Sequence, residues 1–216
     1  MRRSGTTTDD NTALCDSSAR DEAEGYLAEH HPRFCDLLRS NPAALERMRA
    51  SPSGYAVFAP SEYAFDSLGP DRLALLGAAM MGGCGDPGMR AMASAMAEYH
   101  MVSAPATAEI MTTFGVVTTS LGEMPVEVSP DGTMYVNGVK VVQSLQFEDR
   151  SVLDYRDADG NSLGIEEVIP TGGTGGTGGG NTRCVVHEVE GLLCPDELWQ
   201  VMHAHYMQSA GSAGAM

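Results

Sequence analysis

The pattern of apolar and polar positions divides the chain into a helical first half and a strand-rich second half. Apolar residues recur at helical spacing from Ala19 to His30 and again in a short segment from Phe34 to Leu38. A third helix is predicted after Asn41-Pro42, because Asn is a good N-cap and Pro fits the first helical position. Residues 89–100, rich in Ala and Met, predict the strongest helix of this half.

One apolar run in the helical half is typical of a buried strand rather than a helix. Tyr55 to Ala59 has no polar residue, and Pro60 ends it because proline lacks the N–H that a ladder hydrogen bond needs. Ser61 then predicts the cap of a following helix, and Gly69-Pro70 is interpreted as a turn. We expect Phe58 to fill the core between a sheet and the helices.

The second half predicts a β-meander closed by a helix. Asp131-Gly132 and Asn137-Gly138 are tight-turn signals between apolar segments, which is the usual signature of a hairpin. The predicted strands are 116–119, 126–128, 134–136, 139–142, 163–169 and 185–189, and the closing helix is 195–206. Helices first, then a meander, then a final helix indicate an α+β fold.

The length of 216 residues suits one domain with extensions. We predict a single domain over residues 17–208, with a flexible arm at 1–16 and a flexible tail at 209–216. Residues 171–180 read TGGTGGTGGG, and glycine loses too much entropy on ordering for this tract to hold regular structure. No Lys-Ser/Thr follows the tract, so it does not predict a phosphate-binding loop.

The net charge of −16 limits the classes of partner that the protein can bind. Residues 1–50 hold nine acids and seven arginines, whereas residues 51–216 hold twenty acids and six basic residues. Such a surface repels nucleic acid and anionic membranes and attracts a protein partner with a basic surface. The apolar run from Leu73 to Met81 is far too short to span a bilayer. We therefore expect neither nucleic-acid binding nor a membrane span.

Several features favour a cytoplasmic location. The first residues carry no apolar signal core, and no N-x-S/T glycosylation site occurs. The five cysteines have no CxxC spacing, which predicts reduced thiols; a Cys184–Cys194 bridge is the alternative in an oxidising compartment. Lys140 is the only lysine against twelve arginines, a bias of GC-rich coding DNA. These features favour a cytoskeletal or ciliary structure of an alga.

Four motifs in order give a resemblance to a known family. They are the strand and helix from Tyr55 to Phe65, the pair Tyr99-His100 at a helix end, the hairpin from Tyr135 to Val141, and the segment from Val185 to Pro195. In their order and spacing these motifs resemble the fasciclin domain family, and the resemblance extends over residues 33–195.

The resemblance implies a wedge-shaped α+β domain that binds proteins and is not an enzyme. In some animal members the Tyr-His region contributes to adhesion, which makes Tyr99 and His100 candidate partner-binding residues. The alternative for His100 is a hydrogen bond to backbone that fixes the helix end. The other motif residues are expected to be structural, with Glu190 standing where the family usually has Asp: Phe58, Pro60, His187, Glu190 and Pro195.

The family closes its sheet with few residues after the third motif, so the segment of about 145–183 is interpreted as an insertion. Its acids are further candidate partner-binding residues: Asp154, Asp157, Asp159 and Glu166. In a calcium-loop register Tyr155 would occupy the first position, where a carboxylate is needed. Asp159-Gly160-Asn161 is therefore interpreted as a polar hairpin turn, and no metal is expected.

The sequence contains none of the common hydrolase, zinc-protease or dinucleotide-binding motifs, so we expect no catalysis and no cofactor. Three functions remain open. The first is a protein-binding scaffold module, a structural subunit of a larger assembly. The second is a cell-adhesion domain that is secreted or lies in an organelle lumen. The third is a small-ligand or lipid-binding domain, which a large pocket lined by methionines would favour.

Overall fold

The computed structural model describes residues 16–81, 86–156, 162–168 and 182–213. The helices are α1 (Ala19–His30), α2 (Pro32–Arg39), α3 (Pro42–Arg49), α4 (Glu62–Asp66), α5 (Gly69–Met80), α6 (Pro87–Tyr99), α7 (Ala108–Phe114) and α8 (Asp196–Ala213). The strands are β1 (Asp16–Ser17), β2 (Gly54–Pro60), β3 (Met101–Val102), β4 (Val116–Thr119), β5 (Gly122–Val128), β6 (Met134–Val136), β7 (Val139–Glu148), β8 (Arg150–Arg156), β9 (Ser162–Val168) and β10 (Arg183–Val189).

A mixed sheet of seven strands forms the centre, in the order β3-β2-β10-β7-β6-β5-β4. Strands β4 to β7 form an antiparallel meander, as the turn signals predicted. The strand β10 lies between β7 and β2 and runs parallel to β2. The α+β prediction, with helices before a meander and a closing helix, is confirmed.

The central strand β2 is buried on both faces, and its alternation separates two cores. Tyr55, Val57 and Ala59 face the helical core, which contains residues of α1 to α6 and α8. Ala56 and Phe58 face a second core, which the curled meander and α7 enclose. Phe58 is buried, as expected, but it packs between the sheet and α7 rather than against α1 to α6, because the even-numbered positions of this strand face the second core.

Local capping signals explain where most helices begin. The side chains of Asn41 and Ser61 accept hydrogen bonds from the first turns of α3 and α4, as predicted. The turn expected at Gly69-Pro70 is instead the start of α5, since proline is well tolerated in a first helical turn. The helix α7 was not predicted; Thr107 caps it and Gly115 ends it in the left-handed conformation.

The expected insertion contains regular structure. The strands β8 and β9 form an antiparallel hairpin, and β1 pairs with the base of β8 to make a second sheet of three strands. The last pair of the β8–β9 hairpin is Arg156 with Ser162, on either side of the predicted turn. That turn and the glycine tract 171–180 lie outside the described residues.

The chain termini of the domain differ from the expected boundaries. Asp16, assigned to a flexible arm, belongs to β1, and α8 continues to Ala213, beyond the expected start of the tail. Trp199 and Met202 bury this helix in the helical core. Strand β10 and helix α8 therefore belong to the same packed body as the N-terminal helices.

Candidate functional site

The ring of His100 lies wholly inside the domain, with an exposed fraction of 0%. Its Nε2 accepts a hydrogen bond of 3.0 Å from the N–H of Leu193, so Nδ1 carries the proton and donates to the Met96 carbonyl at 2.8 Å. Burial lowers the pKa of His100 to about 4, despite the hydrogen bond to Met96. The ring therefore fixes the end of α6 against the segment after β10, which was the alternative for this residue.

His187 occupies the second core, on β10. Its Nε2 donates to the Ala106 carbonyl at 2.7 Å, and Nδ1 accepts from the Ser144 hydroxyl at 2.7 Å. Its ring stacks on Phe58 with a centroid distance of 5.1 Å. Burial lowers the pKa of His187 to about 4 as well. The two histidines are thus neutral, with the proton on different ring nitrogens.

The remaining motif residues lie at or next to the ends of helices and strands. Pro60 is the last residue of β2, and the N–H of Ser61 after it donates to the Val189 carbonyl of β10 at 3.1 Å. Glu190 pairs with the Lys140 ammonium at 2.9 Å on the surface of the meander. Pro195 immediately precedes α8.

Tyr99 and His100 are adjacent in sequence but differ in exposure. Tyr99 is half-buried against the second core, whereas His100 is enclosed. Partner binding by Tyr99 stays a prediction.

A single carboxylate anchors the base of the β8–β9 hairpin. Asp149 Oδ1 accepts from the N–H of Ala19, the first residue of α1, at 2.9 Å, and Oδ2 accepts from the N–H of Thr182 at 3.1 Å. The N–H of Asp149 also donates to the Thr182 carbonyl at 3.2 Å. Partial burial raises the pKa of Asp149, but these hydrogen bonds outweigh it, so the net shift is downward.

This clamp joins both ends of the hairpin segment to the positive end of a helix. Ser18, the residue directly before α1, caps the same helix with its side chain. Asp149 therefore adds a second acceptor at the α1 N-terminus, from a distant part of the sequence. The base of the hairpin is thereby anchored to the domain. Sequence reasoning missed Asp149, which lies 130 positions from Ala19 and leaves no local signal.

The candidate acids of the insertion are placed to different extents. Asp154 lies in β8 opposite Ile165, and Glu166 lies in β9 opposite Leu153, so both belong to one hairpin. Asp157 and Asp159 lie outside the described residues.

Arginines on the helical side already have acidic partners. Arg33 contacts Glu62 and Asp66, and Arg49 binds Glu24 through two parallel hydrogen bonds of 2.8 and 2.7 Å. These pairs offset the acids of the first half. By contrast, the hairpin segment 149–167 holds six acids against two arginines, Arg150 and Arg156.

A cleft of about 470 Å³ lies between α5 and α8. Arg72 covers the ring of Trp199 at 5.2 Å and approaches Asp196 at 3.4 Å. The other lining residues are mainly polar and include no methionine: Asp71, Leu75, Gln200 and His203. The cleft therefore lacks the methionine lining that would favour a lipid.

The described part of the chain contains neither a candidate metal site nor a candidate membrane-spanning helix. Its histidines, cysteines and carboxylates form no group of three or more that could hold a metal ion. None of its helices is long and apolar enough to cross a membrane.

In this arrangement the buried histidines of the motifs hold the fold together, and charged residues lie on the surface. The model of the fasciclin domain family matches residues 30–153. The chain belongs to the fasciclin domain family, whose domains are typically non-enzymatic modules of protein binding and adhesion. No curated protein matches the chain in sequence.

Proposed function

We propose that this protein is a scaffold module, a structural subunit that joins an assembly by binding a basic protein surface through its β8–β9 hairpin. The observation that carries the proposal is the Asp149 clamp, which seats an acidic hairpin on the α1 N-terminus. A seated surface loses less entropy on binding than a tethered loop does.

Charge supports the same surface. The acids Asp154, Asp157, Asp159 and Glu166 share this segment with Arg150 and Arg156, and this excess of acid attracts basic partners and accelerates their encounter. Tyr99, half-buried at the end of α6, is a second candidate contact.

The test uses the whole chain and immobilised poly-L-lysine as a basic probe. Replacing Asp154, Asp157 and Asp159 by asparagine should weaken binding at least tenfold and flatten its dependence on salt. The matched control replaces the exposed acids Glu109, Glu123 and Glu127 by glutamine, which removes the same charge elsewhere.

Equal weakening in both triple variants would refute the hairpin as the binding surface, because only net charge would then matter. Melting temperatures of both variants show whether the domain remains folded. A hairpin variant that unfolds while each folded molecule binds as before would make the hairpin purely structural.

We further propose a cytoplasmic setting, in a cytoskeletal or ciliary structure. Family membership favours a second candidate, a cell-adhesion domain in a secreted or organelle-lumen protein. Immunofluorescence of the tagged full-length protein in its own cells separates the two. Staining of cilia or cytoskeleton supports the first, whereas surface or lumen staining supports the second.

A further inference from the structure

The β8–β9 hairpin has an outer edge that is unpaired within the described residues. The strands pair from Ser151–Val168 to Arg156–Ser162. Strand β1 covers only Arg150 and Ser151 of β8. Among the described strands, none lies beside the far edge of β9.

An open edge of this kind is a template for another strand. Two strands alone are only marginally stable in water, and a third strand adds main-chain hydrogen bonds. Residues 162–168 contain no proline, which would forbid such pairing. At about 3.3 Å per residue, the edge is roughly 23 Å long and fits an extended peptide of seven residues.

We propose that the outer edge of β9 is a strand-addition site for an extended peptide rich in lysine or arginine. This inference rests on the proposed function and specifies how the hairpin binds its basic partner. Main-chain hydrogen bonds supply the affinity, while the acids of the hairpin select the charge of the peptide.

Charge decides between this occupant and a second copy of the chain. Pairing β9 with its own copy would bring together two strands that each contribute Glu166 and Glu167 and no basic residue. Each molecule also carries a net charge of −16. A basic strand instead meets complementary charge along the same edge.

The N-terminal segment of the chain is attached at the other side of the hairpin. It leads into Asp16, which pairs with Ser151 of β8. Strand β1 therefore lies on the β8 side of the hairpin, away from the outer edge of β9.

The test is a titration of the whole chain with a fluorescent, capped heptapeptide of alternating valine and lysine. A second peptide has the same sequence but is N-methylated at alternate residues, so one of its edges cannot donate hydrogen bonds. Methylation should weaken binding at least tenfold, and the unmodified peptide should slow hydrogen exchange at alternate amides of residues 162–168.

Two protein variants test the charge. Glu166→Gln with Glu167→Gln should weaken binding of the unmodified peptide several-fold. The control pair Glu123→Gln with Glu127→Gln lies on β5 and should leave it unchanged. Equal effects of the two pairs would overturn the assignment to β9.

Other outcomes separate this inference from the proposed function. Equal affinity for both peptides, or binding of poly-L-lysine without binding of the heptapeptide, overturns strand addition and leaves the basic partner standing. Failure of both probes overturns the two proposals together. Slow exchange in residues 162–168 before any peptide is added also overturns strand addition, because the edge is then already covered by the chain itself or by a second copy.

Discussion

Phe58 combines full burial with a stacked aromatic partner, so its removal should be costly. Phe58→Ala deletes a side chain with an exposed fraction of 0% and leaves a cavity beside His187. We expect a loss of about 3–5 kcal/mol in the free energy of unfolding, measured by urea denaturation. The control is Phe114→Ala, whose side chain is 73% exposed and should change stability by less than about 0.5 kcal/mol. Equal losses would contradict the core assignment.

The two buried histidines make stability depend on pH. Their pKa values are about 4 in the fold, below the ordinary value of 6.5, so folding favours the neutral rings. This contribution is complete above pH 6.5 and is lost as the pH falls towards 4. We expect a loss on the order of 3 kcal/mol per histidine, measured by denaturation at several pH values.

Two substitutions test whether the buried histidines cause this loss of stability in acid. His187→Asn should flatten the dependence of stability on pH, because one buried titrating ring is gone. His203→Gln should leave the pH profile unchanged, since His203 is exposed on α8. An unchanged profile for the His187 variant would show that the acid sensitivity has another source.

At the level of single residues, the sequence predicted contacts between residues close in the chain but not contacts between distant ones. Asn41 and Ser61 could be identified as caps because their hydrogen bonds fall within three positions. The alternation of β2 predicts that Val57 and Phe58 face opposite sides, but not which side the helices cover. That choice depends on how the whole sheet curls.

At the scale of elements, the clamp at Asp149 should govern the hairpin. Asp149→Ala removes the acceptor of the Ala19 and Thr182 N–H groups and should cost about 1–3 kcal/mol. Faster hydrogen exchange in residues 150–168 would report the loosened hairpin. Asp36→Ala, which removes an exposed acid paired with Arg39, is the control and should leave this exchange unchanged. Unaltered exchange in the Asp149 variant would mean that the hairpin is held by other contacts.

Element types were easier to predict than their ends. The unbroken apolar run of β2 and the turn signals of the meander identified strands directly. The helix α7 was missed because it is short and includes Thr112 and Thr113, which are weak helix formers. Its start depends on Thr107 and its packing on Met111, which reaches the second core.

At the scale of the whole molecule, the number of free thiols indicates whether the protein resides in a reducing or an oxidising compartment. Cys35, Cys184 and Cys194 are free in the structure, and burial raises the pKa of Cys194 to about 12, which makes it unreactive as a thiolate. We expect titration of the protein purified from its own cells, unfolded without reductant, to count five thiols. The same sample fully reduced is the control. A count of three or fewer would indicate an oxidising compartment.

The sheet curls until its two edge strands approach one another. The strands β3 and β4 both contribute to the second core, through Val102 and Val117. Near these edges the Ser120 hydroxyl donates to Glu98 at 2.6 Å. The hairpin signals alone could not predict the strand order of this sheet, because β10 enters between β2 and β7 from the far end of the chain.

The central place of β10 has a consequence for biosynthesis. A ribosome completes β2 and β7 well before it makes residues 183–189, and β10 is the strand that joins them. Until then one edge of β2 and one edge of β7 lack the native neighbour that supplies their main-chain hydrogen bonds. Folding therefore finishes after translation of this segment and requires a long-range, slow pairing step. We therefore expect the unfinished sheet to bind chaperones during that interval, and a truncation before residue 183 to aggregate rather than fold as a smaller domain.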